Sequence, residues 1–179
     1  MKRYILTGTP GSGKTSILHE LKSQGYWIVE EAATDVIALE QKLGNPKPWM
    51  QSDFIAKIIR LQQQRQMEAS KYPDELQLYD RSPICTFALS RHLGYPPSPC
   101  LLEEMERIEH ESIYQREVFF IENLGFCQPT VVRKISFEAS LLFEKTYTSL
   151  GYDLIKIAPE SLSERVHSIM EWVGHALDK

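Results

Sequence analysis

Three cysteines, Cys85, Cys100 and Cys127, are too few and too scattered for a disulfide framework, and no CxxC pair suggests a zinc site. They read as reduced thiols in a cytoplasmic protein. The histidines, His19, His92, His110, His167 and His175, share no metal-ligand spacing with acids or cysteines and are expected to be structural or exposed. Positive charge is not in excess: the net charge is −4, without the basic face that attracts a nucleic-acid backbone, so nucleic acid is not an expected partner. No apolar run approaches the roughly 18 residues of a membrane span, and the opening MKRYILTG is too short for a signal-peptide core, so no membrane is expected either. No repeat, low-complexity tract or linker divides the chain, and 42% hydrophobic with 25% charged residues is ordinary for a folded protein. Residues 1–179 therefore read as one domain with one core.

Short apolar runs alternate with longer helical patterns. RYILTG, YWIVEE, LQLYD, EVFFIEN and YDLIKIAP are strand-like. Between and after them, KTSILHELKSQG, TDVIALEQKLG, SDFIAKIIRLQQQRQMEAS, CTFALSRHLG, PCLLEEMERIEHESIYQR, SFEASLLFEKTYTSLG and SLSERVHSIMEWVGHAL carry helical spacing. Such alternation predicts an α/β fold, a parallel sheet covered by helices on both faces. GYPPSP at 94–99 and GFCQPTVVRK at 125–134 are irregular, and the region around 125–140 reads as a lid.

After the first strand and before the first helix stands LTGTPGSGKTS, in which Gly8, Gly13, Lys14 and Thr15 match the phosphate-loop pattern GxxxxGK[ST] in its required context. Glycines at 8, 11 and 13 allow successive N–H groups to turn inward around phosphate oxygens. The expected nucleotide contacts run through Gly8, Thr9, Pro10, Gly11, Ser12, Gly13, Lys14, Thr15 and Ser16. The first helix adds the positive end of its dipole, Lys14 a point charge, and Thr15 a hydroxyl for Mg²⁺. No NKxD-type guanine-reading motif is present, so the expected ligands are ATP and Mg²⁺.

Magnesium needs further oxygens. LQLYD ends on Asp80, at the strand edge where ligands of open parallel sheets bind, which makes Asp80 the leading metal carboxylate; the competing reading is a cap for the next helix, where Ser82 followed by Pro83 is the better start. Arg81 could pair with a substrate, with Glu30 or with Glu31. Glu30 and Glu31 end YWIVEE on opposite sides, so at most one faces the site as a proton acceptor or a partner for Arg81, with Glu30 slightly preferred. Arg133, beside Lys134 in the irregular segment, is the candidate for a lid charge that stabilises transfer. Trp49 and Phe54 either stack on an aromatic acceptor or pack in the core.

Together, GTPGSGKTS, YWIVEEAATDVIALEQ, LYDRSP and FEASLLFEKTYTSLGYDLIKIAPESLSERVHSIMEWV resemble the small AAA-type P-loop ATPases related to nicotinamide-riboside kinases and other P-loop nucleoside kinases, over nearly the whole chain. The resemblance implies a kinase-type P-loop NTPase fold, three layers α/β/α around five parallel strands in the order 2-3-1-4-5. It implies that Lys14 and Thr15 hold phosphate and magnesium, that Asp80 is the strand-end acid and that Arg133 is a lid arginine. YDRS lacks the Asp-Glu pair of ring-forming ATPases, and the chain has no room for their helical lid domain, which argues against a mechanical ring. Two functions are expected to compete: a small-molecule kinase passing the ATP γ-phosphate to a nucleoside-like hydroxyl near Glu30, Trp49 and Arg81, and an ATP-dependent switch with slow hydrolysis acting on a protein partner.

Overall fold

The computed structural model describes residues 1–72, 76–125, 138 and 142–177. Five strands, β1 (Lys2–Gly8), β2 (Trp27–Val29), β3 (Leu76–Asp80), β4 (Glu117–Ile121) and β5 (Asp153–Ile157), form one sheet in the order β2-β3-β1-β4-β5. Every pairing is parallel. The expected sheet and its order are both found. Among the described residues the helices between and after the strands are α1 (Lys14–Ser23), α2 (Ala32–Lys42), α3 (Phe54–Ala69), α4 (Pro83–His92), α5 (Pro99–His110), α6 (Phe143–Ser149) and α7 (Leu162–Leu177), with a 3₁₀ turn at Pro48–Met50.

The central strands are buried on both faces because their side chains alternate between two cores. Tyr4, Leu6, Leu78 and Phe119 meet Ile17 and Leu21 of α1 and Val166, Ile169 and Val173 of α7. Ile5, Tyr79 and Val118 point the other way, onto Ile84 and Ala88 of α4, Ile108 of α5 and Phe143 and Tyr147 of α6. Each fully buried Ile or Leu contributes on the order of 2 kcal/mol, which fixes the register against slips. Val36, Phe54, Ile58 and Leu101 make a third cluster beneath α2 and α3.

The register brings the carboxyl ends of the strands to one edge: Leu6 pairs with Asp80, Gly8 with Ile121, and Val29 with Tyr79. At Gly8, φ is +133° and an added Cβ would sit 2.2 Å from the Ile121 carbonyl oxygen, so only glycine lets β1 leave the sheet there and enter the loop. On the next strand, Ser82 caps α4 by accepting from the Ile84 N–H at 3.2 Å, with Pro83 in the first turn. Asp80 is thereby freed from the capping role. Among the described residues no helix is long and apolar enough to cross a membrane. Arg133 and Lys134, and most of the expected lid around 125–140, lie outside the described residues.

Candidate active site

The loop between β1 and α1 closes on its own lysine. The Lys14 ammonium donates to the Thr9 carbonyl at 2.9 Å, the Ser12 hydroxyl at 3.1 Å and the Gly8 carbonyl at 3.3 Å, and the side chain is almost fully buried. Burial, then the neighbouring Arg81, lowers its pKa to about 8, against the opposing pull of Asp80 and Glu31. Pro10, Gly11, Gly13, Lys14, Thr15 and Ser16 line one wall of a cavity of about 570 Å³, and Glu31, Asp80 and Arg81 face it from the ends of β2 and β3. Gly8, Thr9 and Ser12 stand behind that wall, in the loop itself.

Asp80 is nearly buried, and its Oδ1 has no hydrogen-bond partner. Loss of solvent, then the Glu31 carboxylate, pushes its pKa up to about 6, although Lys14 and Arg81 pull the other way. An orphaned carboxylate oxygen beside a phosphate loop fits a cation. Among the described residues no cluster of three or more His, Cys, Asp or Glu could hold a metal alone. Thr15 and Asp80 line the same cavity, and a hydroxyl and a carboxylate there would suit a magnesium ion bound largely through phosphate and water.

Arg81 follows Asp80 in the left-handed region, at φ 69°, a conformation that costs a non-glycine residue on the order of 1–3 kcal/mol and recurs at functional sites. Several contacts over-determine it. Its N–H donates to the Leu6 carbonyl at 3.0 Å, its Nε meets Glu31 Oε1 at 2.6 Å, and its guanidinium lies 5.0 Å from the centre of the Phe143 ring. Ser82, next in sequence, bonds the Tyr147 hydroxyl at 2.7 Å, so α6 grips the turn from two positions one helical turn apart. Burial works against ionisation of Glu31, yet Arg81, a 2.6 Å hydrogen bond from Thr34 and Lys14 together hold its pKa below the usual glutamate value.

The expectation for Glu30 is corrected by this geometry. β2 ends at Val29, Glu30 turns out to an exposed ion pair with Lys22 at 3.0 Å, and Glu31, the residue that opens α2, is the glutamate beside Arg81. Of the two readings open for Trp49, the structure takes the core: it packs against the cluster under α2 and α3, its carbonyl accepts from the Tyr95 hydroxyl, and it lines neither site cavity, so it does not stand with Arg81 at an acceptor. Phe54 is in the same cluster, as core.

A second, smaller cavity of about 40 Å³ lies on the far side of the Glu31–Arg81 pair, bounded also by Gln62, Cys85, Thr86 and Phe143. It shares Glu31, Ala33 and Arg81 with the loop cavity. Gln62 accepts from Thr86 at 2.9 Å. Sequence reasoning missed Gln62, although a signal existed: it continues the inward stripe Phe54, Ile58 at helical spacing, where a polar residue needs a reason.

A family model described as an AAA domain matches residues 3–165. The chain belongs to this AAA domain family. As a member it is a P-loop NTPase, the class of enzyme expected from the loop. No curated protein matches this AAA-family chain in sequence. Among solved structures it is similar to the deoxyadenosine kinase from M. mycoides with products dCMP and a flexible dCDP bound, at TM-score 0.63 and 15% identity, over 97% of this chain and 99% of that one. The same enzyme with bound dCTP gives TM-score 0.58 and 16% identity over 98% and 100% of the two chains. With bound dATP it gives 0.56 and 13% over 96% and 99%. At these identities the likeness establishes the fold.

Proposed function

We propose that this AAA-family protein is a small-molecule kinase that passes the γ-phosphate of ATP to a hydroxyl of a nucleoside-like acceptor. The observation that carries the reading is the pair of cavities divided by one wall, the Glu31–Arg81 pair, with the phosphate loop on one side and a pocket of mixed aromatic and amide character on the other. A phosphoryl group crossing such a wall meets a fixed cation and a fixed carboxylate at the moment of transfer. Gly11, Ser12, Gly13 and Lys14 bind and orient the donor, Arg81 stabilises the charge that spreads over the moving group, and Glu31 orients the attacking hydroxyl and accepts its proton late, as its lowered pKa requires. Magnesium, held by Thr15 and Asp80, would neutralise charge on the terminal phosphates. Arg133 is proposed to add a second cation from the lid. The smaller cavity has room for about three waters, so an acceptor enters by displacing its walls.

The test is ADP release by the purified chain with Mg-ATP and a panel of ribo- and deoxynucleosides, vitamins and sugars. Release rising at least tenfold with one nucleoside is the expected result. A rate that no acceptor changes would instead favour the ATP-dependent switch acting on a protein partner.

The pH dependence follows from the two shifted groups. kcat/KM for ATP reports the free enzyme, and it should rise as Asp80 ionises near pH 6 and fall as Lys14 loses its proton near pH 8. Stability moves differently. Asp80 binds its proton more tightly folded than unfolded, so its own contribution to the stability of the free protein is full below about pH 4, the ordinary aspartate range, and is lost as pH rises through about 6. Urea titrations at pH 4 and 7, on wild type and Asp80→Asn, measure this: the stability of wild type relative to the variant should fall over that interval.

A further inference from the structure

On the side of the phosphate loop away from the acceptor pocket stands a second buried arginine. Arg165, in the first turn of α7, is 2% exposed, its Nη2 donates to the Ser12 carbonyl, and its Nε is buried with no partner. Among the described residues it forms no ion pair, unlike Arg81, Arg65, Arg107 and Arg116. Three effects disfavour a cation there: lost hydration, the positive end of its own helix, and the nearby start of α1. A single carbonyl bond does not offset all three. A multiply charged anion in the loop would.

The geometry says how the charge reaches that anion. In a trans peptide the carbonyl and the following N–H point in opposite directions. The Ser12 carbonyl is turned to Arg165, and Gly13, whose N–H belongs to the same peptide, lines the loop cavity. A cation on the carbonyl polarises the amide and strengthens the N–H as a donor. Gly13 has φ +82°, and a Cβ on it would lie 2.9 Å from Arg165 Nη1, so the arginine is packed directly against the back of the cradle.

We propose that Arg165 is a positioning residue for nucleotide phosphates: it clamps the Ser12–Gly13 peptide from behind, aims and polarises the Gly13 N–H, and takes the bound triphosphate as its counter-charge. The inference rests on the nucleotide reading above and adds a part to it. Burial lowers the guanidinium's pKa, as an unpaired cation requires.

The experiment compares wild type, Arg165→Met and Arg165→Lys by calorimetric titration with ATP and with tripolyphosphate, which has no nucleoside, alongside thermal melts without ligand. Arg165→Met should bind both at least tenfold more weakly while its ligand-free melting temperature stays equal or rises, and Arg165→Lys should recover part of the affinity. In ¹⁵N-labelled protein the Gly13 amide proton should move upfield in Arg165→Met. Affinities within twofold of wild type, or a fall in ligand-free melting temperature without loss of tripolyphosphate affinity, would overturn the proposal and leave a packing role. Should Arg165→Met fail to fold, an Arg165→Lys protein with wild-type affinity for both ligands overturns it equally, because lysine cannot reproduce the guanidinium fork. Wild-type protein that bound neither ligand would overturn the nucleotide reading itself.

Discussion

Lys14→Met should bind ATP about a hundredfold more weakly and turn it over on the order of 10³-fold more slowly, in a chain that stays folded. The ammonium is the only full positive charge that the loop supplies from its own side chains, and it sits where the Gly8 and Thr9 carbonyls and the Ser12 hydroxyl converge. Removing a charge-assisted donor to phosphate costs about 1.5–3 kcal/mol in binding, and more where charge develops during transfer. Stability should change little, because two effects oppose. The burial that lowers the lysine pKa to about 8 is relieved, while two carbonyls and a hydroxyl lose their donor. Calorimetric titration with Mg-ATP, a coupled ADP assay and circular dichroism measure the three quantities. Unchanged ATP affinity would mean that the phosphates lie elsewhere.

That prediction was readable from eight residues, since a phosphate loop depends on local backbone geometry: glycine where φ must be positive, and a helix start immediately after. Ser82 and Pro83 at the start of α4 were legible for the same reason. The strands were legible because central parallel strands must be apolar on both faces. Side-chain direction at the strand ends was harder. Glu30 and Glu31 differ only in where β2 stops, and the chain leaves the sheet after Val29, so the alternation rule no longer assigns their sides. Trp49 was ambiguous because a large aromatic after a turn serves a core or a ligand equally well, and here the third cluster takes it. Gln62 and Arg165 are polar residues on otherwise buried helical stripes. Their roles depend on what the neighbouring elements present, which no single helix encodes.

Replacing Glu31 by glutamine should lower turnover by about 10²–10³-fold with a smaller change in the KM for ATP, because the carboxylate also lines the smaller cavity proposed for the acceptor, and its hydrogen-bonded side-chain partners are Arg81 and Thr34. It also removes the partner of a nearly buried guanidinium. Breaking a fully buried pair costs about 3–5 kcal/mol; with the Glu31 side chain 27% exposed, water can partly replace it, and a loss of about 1–3 kcal/mol is expected. The two effects separate in a double-mutant cycle. Glu31→Gln with Arg81→Met should regain much of the stability and none of the turnover, since both charges leave together. The pair also sets a pH dependence of its own. The Glu31 pKa is lower folded than unfolded, so its contribution is full above the ordinary glutamate range near 4.5 and is lost as pH falls through the lowered value. Wild type should therefore lose this increment in acid and Glu31→Gln should not. A glutamine variant that kept wild-type turnover while losing stability would reduce Glu31 to a brace for Arg81, and the proton would have to leave the acceptor through water.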